Sequence, residues 1–205
     1  MVDCYGRRIA ASNASQTIPT NPKAVDRRAE LARAAYELIA ERGLEGLSLR
    51  TLARRLDATT GLVSHHFADR AELLEVALDH AAKVIVERVQ AAGLDAEPVE
   101  LLALVLPTDD VTRENWRFAL SVRAAAIVDE SLRDYPARIL RWWEKYLPPR
   151  LAPMIPGNPL DATRHLVALV DGIALQAVVD PKRWPPKRQR EHLHQAFDAL
   201  AGLPR

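Results

Sequence analysis

Thr59, Thr60, Ser64, His65 and His66 crowd into one short polar cluster. Their hydroxyls and imidazoles donate and accept hydrogen bonds, and none has the partner that bond-breaking chemistry needs. Groups of this kind on one exposed helix face can meet base edges or phosphates. The other polar residues lead nowhere as catalysts. His192 and His194 are two apart, so a helix points them away from each other rather than at one metal. His165 stands alone, and Asp129 and Asp171 lack a histidine or serine at useful spacing. No glycine-rich phosphate loop occurs. Catalytic residues, metal ligands and cofactors are therefore left unassigned. A second group is aromatic: all four tryptophans, Trp116, Trp142, Trp143 and Trp184, lie in the C-terminal half with Phe118, Tyr135 and Tyr146. Together they can line a pocket for an apolar or cationic molecule, with Trp116, Trp142, Trp143 and Tyr146 as the expected lining. Trp142 and Trp143 are adjacent, so one is expected at the pocket and the other at a surface or seam.

The polar cluster needs a scaffold, and Ser48 to Leu74, SLRTLARRLDATTGLVSHHFADRAELL, supplies it. Ser48 is a good N-cap, and Leu49, Leu52, Ala53 and Leu56 then recur at helical spacing. Asp57 and Ala58 break the pattern. Thr59 or Thr60 caps a second short helix carrying Leu62, Val63 and Phe67. Two helices this short must pack on neighbours. The spacing is that of a helix-turn-helix, whose second helix puts its N-terminal residues into the major groove. Arg54 and Arg55 read as solvated charges on the outer face.

Punctuation divides the whole chain into about nine helices and no convincing strand, an all-α fold. Asn21-Pro22 opens a helix that Gly43 closes, and Asp69 with Glu72 opens a long one running to Gly93. Beyond it come Pro98 to Leu106, Thr108-Asp109 to about Asp129, Ser131 through the Trp142-Trp143 stretch, Asn158-Pro159 to Asp180, and a last helix from Pro185-Pro186. The expected division is an arm over 1–20 without order, a helix-turn-helix domain over 21–68, and a ligand-binding and dimerisation domain over 69–205.

The chain's 205 residues suffice for a proper core. Its longest apolar run, Leu166 to Val179, is interrupted by Asp171, Gly172 and Gln176 and is read as no membrane span. Arg7 and Arg8 are not followed by an apolar stretch, so no secretory signal is expected. A single cysteine, Cys4, suits a reducing cytoplasm. Net charge is +1, but residues 1–70 carry 11 Lys and Arg against 8 Asp and Glu, and the remainder 17 against 19. The basic excess falls on the half proposed to meet phosphates and supports that assignment weakly.

Ser48–Leu74 resembles the DNA-binding domain of the TetR family of transcriptional regulators. The resemblance rests on the capped helix with Arg50 and Ala53, on Thr59-Thr60-Gly61, on His66-Phe67, and on Arg70 with Glu72-Leu73-Leu74. It covers roughly residues 22–90, and the rest in layout; LVDGIALQAVVDP in the penultimate helix is similar to the choline-responsive branch. Two positions depart from the family pattern. Asp57 stands where glycine is usual and tolerates left-handed backbone angles, while Ser64 replaces a tyrosine and loses its reach. The resemblance implies that Arg50 reaches a base edge and that Thr59, Thr60 and Gly61 enter the groove. It also implies that Ser48, Ser64, His65, His66 and Arg70 contact or flank phosphates. The penultimate helix is apolar on nearly every side, so one face must meet something besides its own core. The family pairs the last two helices with their copies, here through Leu166, Val170, Ile173, Ala174, Ala177, Leu193, Phe197 and Leu200. The expected function is a homodimeric repressor released from a palindromic operator on double-stranded DNA by an apolar or cationic small molecule. Two other readings stay open: an architectural DNA-binding protein without a ligand, and an all-helical enzyme or carrier. A salt-resistant preference for one palindrome over random DNA separates the first reading from both.

Overall fold

Helix starts in this chain are fixed by local chemistry, and the long-range order follows from which helix faces are apolar. The computed structural model describes residues 22–93 and 96–202; the N-terminal arm and Cys4 lie outside them. The described residues form ten α-helices and two 3-10 turns, with no strand. The helices are α1 (Pro22–Arg42), α2 (Leu49–Arg55), α3 (Thr60–His66), α4 (Arg70–Ala92), α5 (Pro98–Ala103), α6 (Asp110–Val128), α7 (Asp134–Tyr146), α8 (Pro148–Leu151), α9 (Pro159–Val179) and α10 (Pro186–Ala201). Short 3-10 turns cover Leu44–Gly46 and Glu130–Leu132.

The caps show why these boundaries hold. The Ser48 hydroxyl accepts from the Thr51 N–H at 3.0 Å, and the Ser48 N–H donates to Thr51 Oγ1 at 2.9 Å. This reciprocal pair satisfies two orphan donors and stabilises α2 by about 1 kcal/mol. Asp109 and Thr112 repeat the device at the start of α6. Asn158 accepts from Leu160 N–H at 3.0 Å, and Pro159 takes the first helical position of α9, where no donor is needed. Between α2 and α3 the backbone turns at Asp57 with φ of 48°, the one positive φ outside glycine among the described residues.

Two apolar cores result. In the first, α1 buries Leu31, Ala35, Leu38 and Ile39 against Leu52, Val63, Phe67, Leu73 and Ala77. Phe118 and Val122 of α6 are fully buried in this same core. The division expected at 68/69 therefore cuts through packed side chains: α1 rests on α4 and α6 more extensively than on the helix-turn-helix. The second core joins α5, the other side of α6, and α7 to α10, through Trp116, Trp143, Leu147, Leu151, Leu166, Ile173, Leu193 and Phe197.

By length and composition α9 could cross a membrane, contrary to the expectation from its interrupted sequence. Its Leu166, Val167, Val170, Ile173 and Ala174 are instead part of the second core, and Ala177 is buried beside them in sequence.

Candidate nucleic-acid interface and ligand cavity

Two buried side chains hold the recognition helix in place. Val63 and Phe67 dock α3 on the first core, which turns Thr59, Thr60, Gly61, Ser64 and His65 outward. The Thr59 hydroxyl caps α3 by accepting from Leu62 N–H at 3.2 Å, and Ser64 donates to the Gly61 carbonyl at 3.1 Å. Arg50 projects from α2 on the exposed surface. These side chains form a polar, solvent-facing group beside a helix N-terminus, a geometry suited to hydrogen bonding along a groove.

Other expected contacts are engaged elsewhere. Ser48 is the N-cap of α2, so its hydroxyl is tied to Thr51. Arg70, expected at phosphates, donates through Nε to the Leu47 carbonyl at 2.9 Å and through Nη2 to the Leu44 carbonyl at 2.7 Å. It fastens the 44–46 turn to the start of α4. His66 is half-buried; burial pushes its imidazole below the ordinary value, with His65, Arg28 and Arg27 adding to the shift. Arg55 is exposed as expected, and it also bridges to Glu41 at 2.7 Å and Glu37 at 3.1 Å, tying α2 to α1. Its hydrogen bond holds the Glu41 carboxyl below the usual carboxylate range.

Sequence reading missed Arg28. Its guanidinium lies 4.7 Å from the Phe67 ring centroid and donates to the His66 carbonyl at 2.9 Å and to Glu72 Oε1 at 2.8 Å. The other Glu72 oxygen accepts from Ala68 N–H at 2.9 Å. The exit of α3 and the first turn of α4 are thereby locked together. These partners are 38 and 44 residues from Arg28, so no local pattern announces them.

A cavity opens where the two cores meet, walled by Ala81, Ile85 and Val89 of α4, by α6 and α7, and by Val167, Val170 and Asp171 of α9. Trp116, Trp142, Trp143 and Tyr135 supply aromatic walls. Both Trp142 and Trp143 reach it, contrary to the expectation that one faces away; their rings meet edge-on with centroids 4.6 Å apart. Tyr146 is not among the lining side chains and packs on Trp142 with centroids 4.8 Å apart. Trp184 packs instead against His192, below the guanidinium of Arg188. Asn115 donates to the Ala81 carbonyl at 2.9 Å and crosslinks α6 to α4, while Trp116 Nε1 donates to the Val105 carbonyl. Two charges touch the cavity, Arg123 and Asp171. Burial pushes the Asp171 carboxyl above its ordinary value, and Arg123 opposes that shift.

The dimer residues need correction. Leu166, Val170, Ile173, Ala174, Ala177, Leu193 and Phe197 are all buried inside this chain, and Leu200 packs against the same core. The first seven offer no free face and Leu200 is half-buried, because the strongest apolar periodicity of a helix goes to its own core. The outer face of α9 carries a different stripe, Asp161, His165, Ala168, Gly172, Leu175 and Val179, with Leu175 45% and Val179 74% exposed. A Cβ at Gly172 would meet nothing within 4 Å, so another helix can approach closely there. Among the described residues, no group of three or more metal-ligating side chains comes together.

Comparison with known proteins gives concordant matches to both halves. Residues 31–77 match the tetR family of bacterial regulatory proteins, and residues 97–202 match the C-terminal part of BetI-type transcriptional repressors. The HTH-type transcriptional regulator PksA of Bacillus subtilis is 30% identical over 193 residues, covering 87% of this chain and 93% of the relative. A transcriptional regulator of Rhodococcus sp. Rha1 superposes with a TM-score of 0.75 at 26% identity, covering 84% of this chain and 94% of that one. A Saccharomonospora viridis transcriptional regulator in complex with choline shares the fold, with a TM-score of 0.74 at 20% identity over 85% of this chain and 96% of that one.

Proposed function

The chain belongs to the TetR family of bacterial transcriptional regulators, with a C-terminal half of the BetI repressor type, and on that premise we propose how its parts work. It is a DNA-binding regulator that represses from a palindromic operator and is released by a small molecule, working in the cytoplasm. The observation that carries the reading of DNA is the face of α3: Thr60, Ser64 and His65 are exposed while Val63 and Phe67 are buried beneath them. Arg50 and Thr60 read base edges, and Thr59, Gly61, Ser64, His65 and His66 lie along or beside the phosphates. Arg28, half-buried, and Arg70, on the surface, brace the reader through the His66, Leu44 and Leu47 carbonyls and Glu72 rather than reading base edges. Two copies pair through the Ala168–Gly172–Leu175 stripe of α9, where small residues allow close packing, and so set two readers along a palindrome.

Release follows from the position of α6. Its Trp116, Ala119 and Arg123 face the cavity, while Phe118 and Val122 face the reader core. A molecule that displaces α6 moves side chains on which α1 rests, in addition to tilting α4. Such coupling is reciprocal: a ligand that weakens operator binding tenfold, about 1.4 kcal/mol, is itself bound tenfold less tightly by the DNA complex.

The test begins by selecting bound fragments from genomic DNA. Arg50→Ala and Thr60→Ala are then compared on the selected operator and on random DNA. Each loses about 1–3 kcal/mol on the operator and much less on random DNA. Variants that keep the parent's affinity for the operator would remove α3 from the role of reader.

A further inference from the structure

We infer that Leu62 reads a thymine: its side chain packs on the C5 methyl group of one thymine in each half of the operator and makes that base pair a determinant of specificity. The inference rests on the reading of α3 as the recognition helix and adds an apolar contact to its hydrogen bonds.

Leu62 departs from the rules that fix the rest of the reader. It is 38% exposed, and among the described residues it is the only large apolar side chain exposed before Val111. Leu49 and Leu56 of α2, by contrast, pack against the first core. Leu62 also occupies the third position of α3, counted from the Thr59 cap. At the same position of α2 and α6 stand Thr51 and Thr112, each accepting a hydrogen bond from the N–H of its cap. In α4 that position holds Glu72, whose carboxylate takes the Ala68 N–H and Arg28. Leu62 gives its backbone N–H to Thr59 and has no side-chain acceptor to return. A polar residue there would complete the cap and leave no apolar surface in water. Local stability therefore favours a polar residue at 62, and the DNA-bound state supplies the reason for a leucine.

The neighbours of Leu62 fit that reason. A Cβ added at Gly61 would meet only Thr59 Oγ1, at 3.9 Å, so α3 can approach the floor of a groove closely here and carry Leu62 with it. Thr59 and Ser64 spend their hydroxyls within the helix, Thr59 as the cap and Ser64 on the Gly61 carbonyl at 3.1 Å. The first turn of α3 thus presents the Thr60 hydroxyl and, beside it, an apolar group. In the major groove only thymine offers an apolar partner, its C5 methyl; the edges of the other bases present donors and acceptors that leucine cannot answer.

The test uses the operator selected from genomic DNA and copies of it in which each thymine in turn, in both half-sites, is replaced by deoxyuridine. Deoxyuridine lacks the methyl and keeps every hydrogen-bonding group. One such pair of replacements is expected to weaken binding of the full-length parent about fifteenfold, from about fourfold per buried methyl, or about 0.8 kcal/mol. Leu62→Ala weakens binding to the thymine operator by at least as much and no longer distinguishes uridine from thymine at that position, as coupled partners require. Leu62→Met keeps the apolar reach and keeps the distinction. Leu62→Gln loses it, yet its urea midpoint is no lower than the parent's, because glutamine can accept from the Thr59 N–H. The inference is overturned if no uridine replacement weakens the parent, or if Leu62→Ala stays as sensitive to uridine as the parent. It is also overturned if Leu62→Ala weakens thymine, uridine and random DNA alike, the mark of a residue that only supports the helix. Failure of the recognition-helix reading looks different, because Arg50→Ala and Thr60→Ala then keep the parent's affinity for the operator. Loss of affinity in those two with none in Leu62→Ala leaves α3 as the reader and removes the thymine contact alone.

Discussion

Replacing Phe118 with alanine removes from the DNA-reading core a ring that α6 supplies. Phe118 is 0% exposed, and its ring meets those of Tyr36 and Tyr135 with centroids 5.1 and 6.2 Å away. A buried Phe→Ala change costs about 3–5 kcal/mol, and the two ring contacts place this site in the upper half of that range, near 4 kcal/mol. Against a total stability of about 5–15 kcal/mol, that is a large share. With a urea m-value of about 2 kcal/mol/M, the unfolding midpoint falls by about 2 M. All four tryptophans lie between residues 116 and 184, so their fluorescence reports the C-terminal half alone. Amide exchange in α2 and α3 reports the reader. Because the ring belongs to a core shared by both, the two probes are expected to shift together in one transition. Faster exchange in the reader with an unmoved tryptophan transition would show that the cores unfold independently, and the shared-core argument would fail.

Leu175→Arg places a charge on the outer stripe of α9 and is expected to give a helical monomer with greatly weakened operator binding. Val170→Arg buries the charge in the chain's own core and is expected to unfold it; sedimentation and circular dichroism distinguish the two, and a Leu175→Arg dimer would refute the proposed seam. His80, half-buried beside Tyr36, is pushed below the ordinary histidine value by burial first and then by Arg33 and Lys83, with Glu37 and Glu87 opposing. The unfolded chain therefore binds this proton more readily, so stability is full above the ordinary value of about 6.5 and declines as pH falls through it. Denaturation across pH 5 to 8 should show that decline in the parent and less of it in His80→Gln. Asp57→Gly relieves the left-handed backbone at φ of 48° and is expected to raise stability by about 1 kcal/mol, read from the urea midpoint.

What the sequence announced and what it hid divide along contact distance. Ser48, Thr59, Asp69 and Asn158-Pro159 mark helix starts because a cap and its partner lie within three residues, so order in sequence is order in space. The left-handed Asp57 was legible for the same reason. Arg28, Arg55, Arg70 and Arg123 find their partners 14 to 48 residues away, and nothing in their immediate surroundings distinguishes them from solvated charges. In α9 the most apolar residues fill the chain's own core, and the exposed outer stripe is marked by the small residues Ala168 and Gly172. The aromatic wall was visible as a cluster of tryptophans, but the adjacency of Trp142 and Trp143 misled, since two large rings can reach one cavity from neighbouring positions on a helix.

The clamp of Arg28 on His66 and Glu72, with Arg70 on Leu44 and Leu47, leaves no joint between the reader and the first turn of α4. The reader then rides at the end of a stiff lever whose other end, around Ile85, forms part of the cavity wall. At 1.5 Å per residue this arm is about 22 Å long, so a tilt of about 5° at the cavity sweeps its tip through about 2 Å. In a symmetric pair the two arcs add to about 4 Å, against a half-site spacing of about 34 Å. Hydrogen bonds to base edges survive displacements of only a few tenths of an ångström. A ligand therefore need not push far; the length of the arm multiplies what it does.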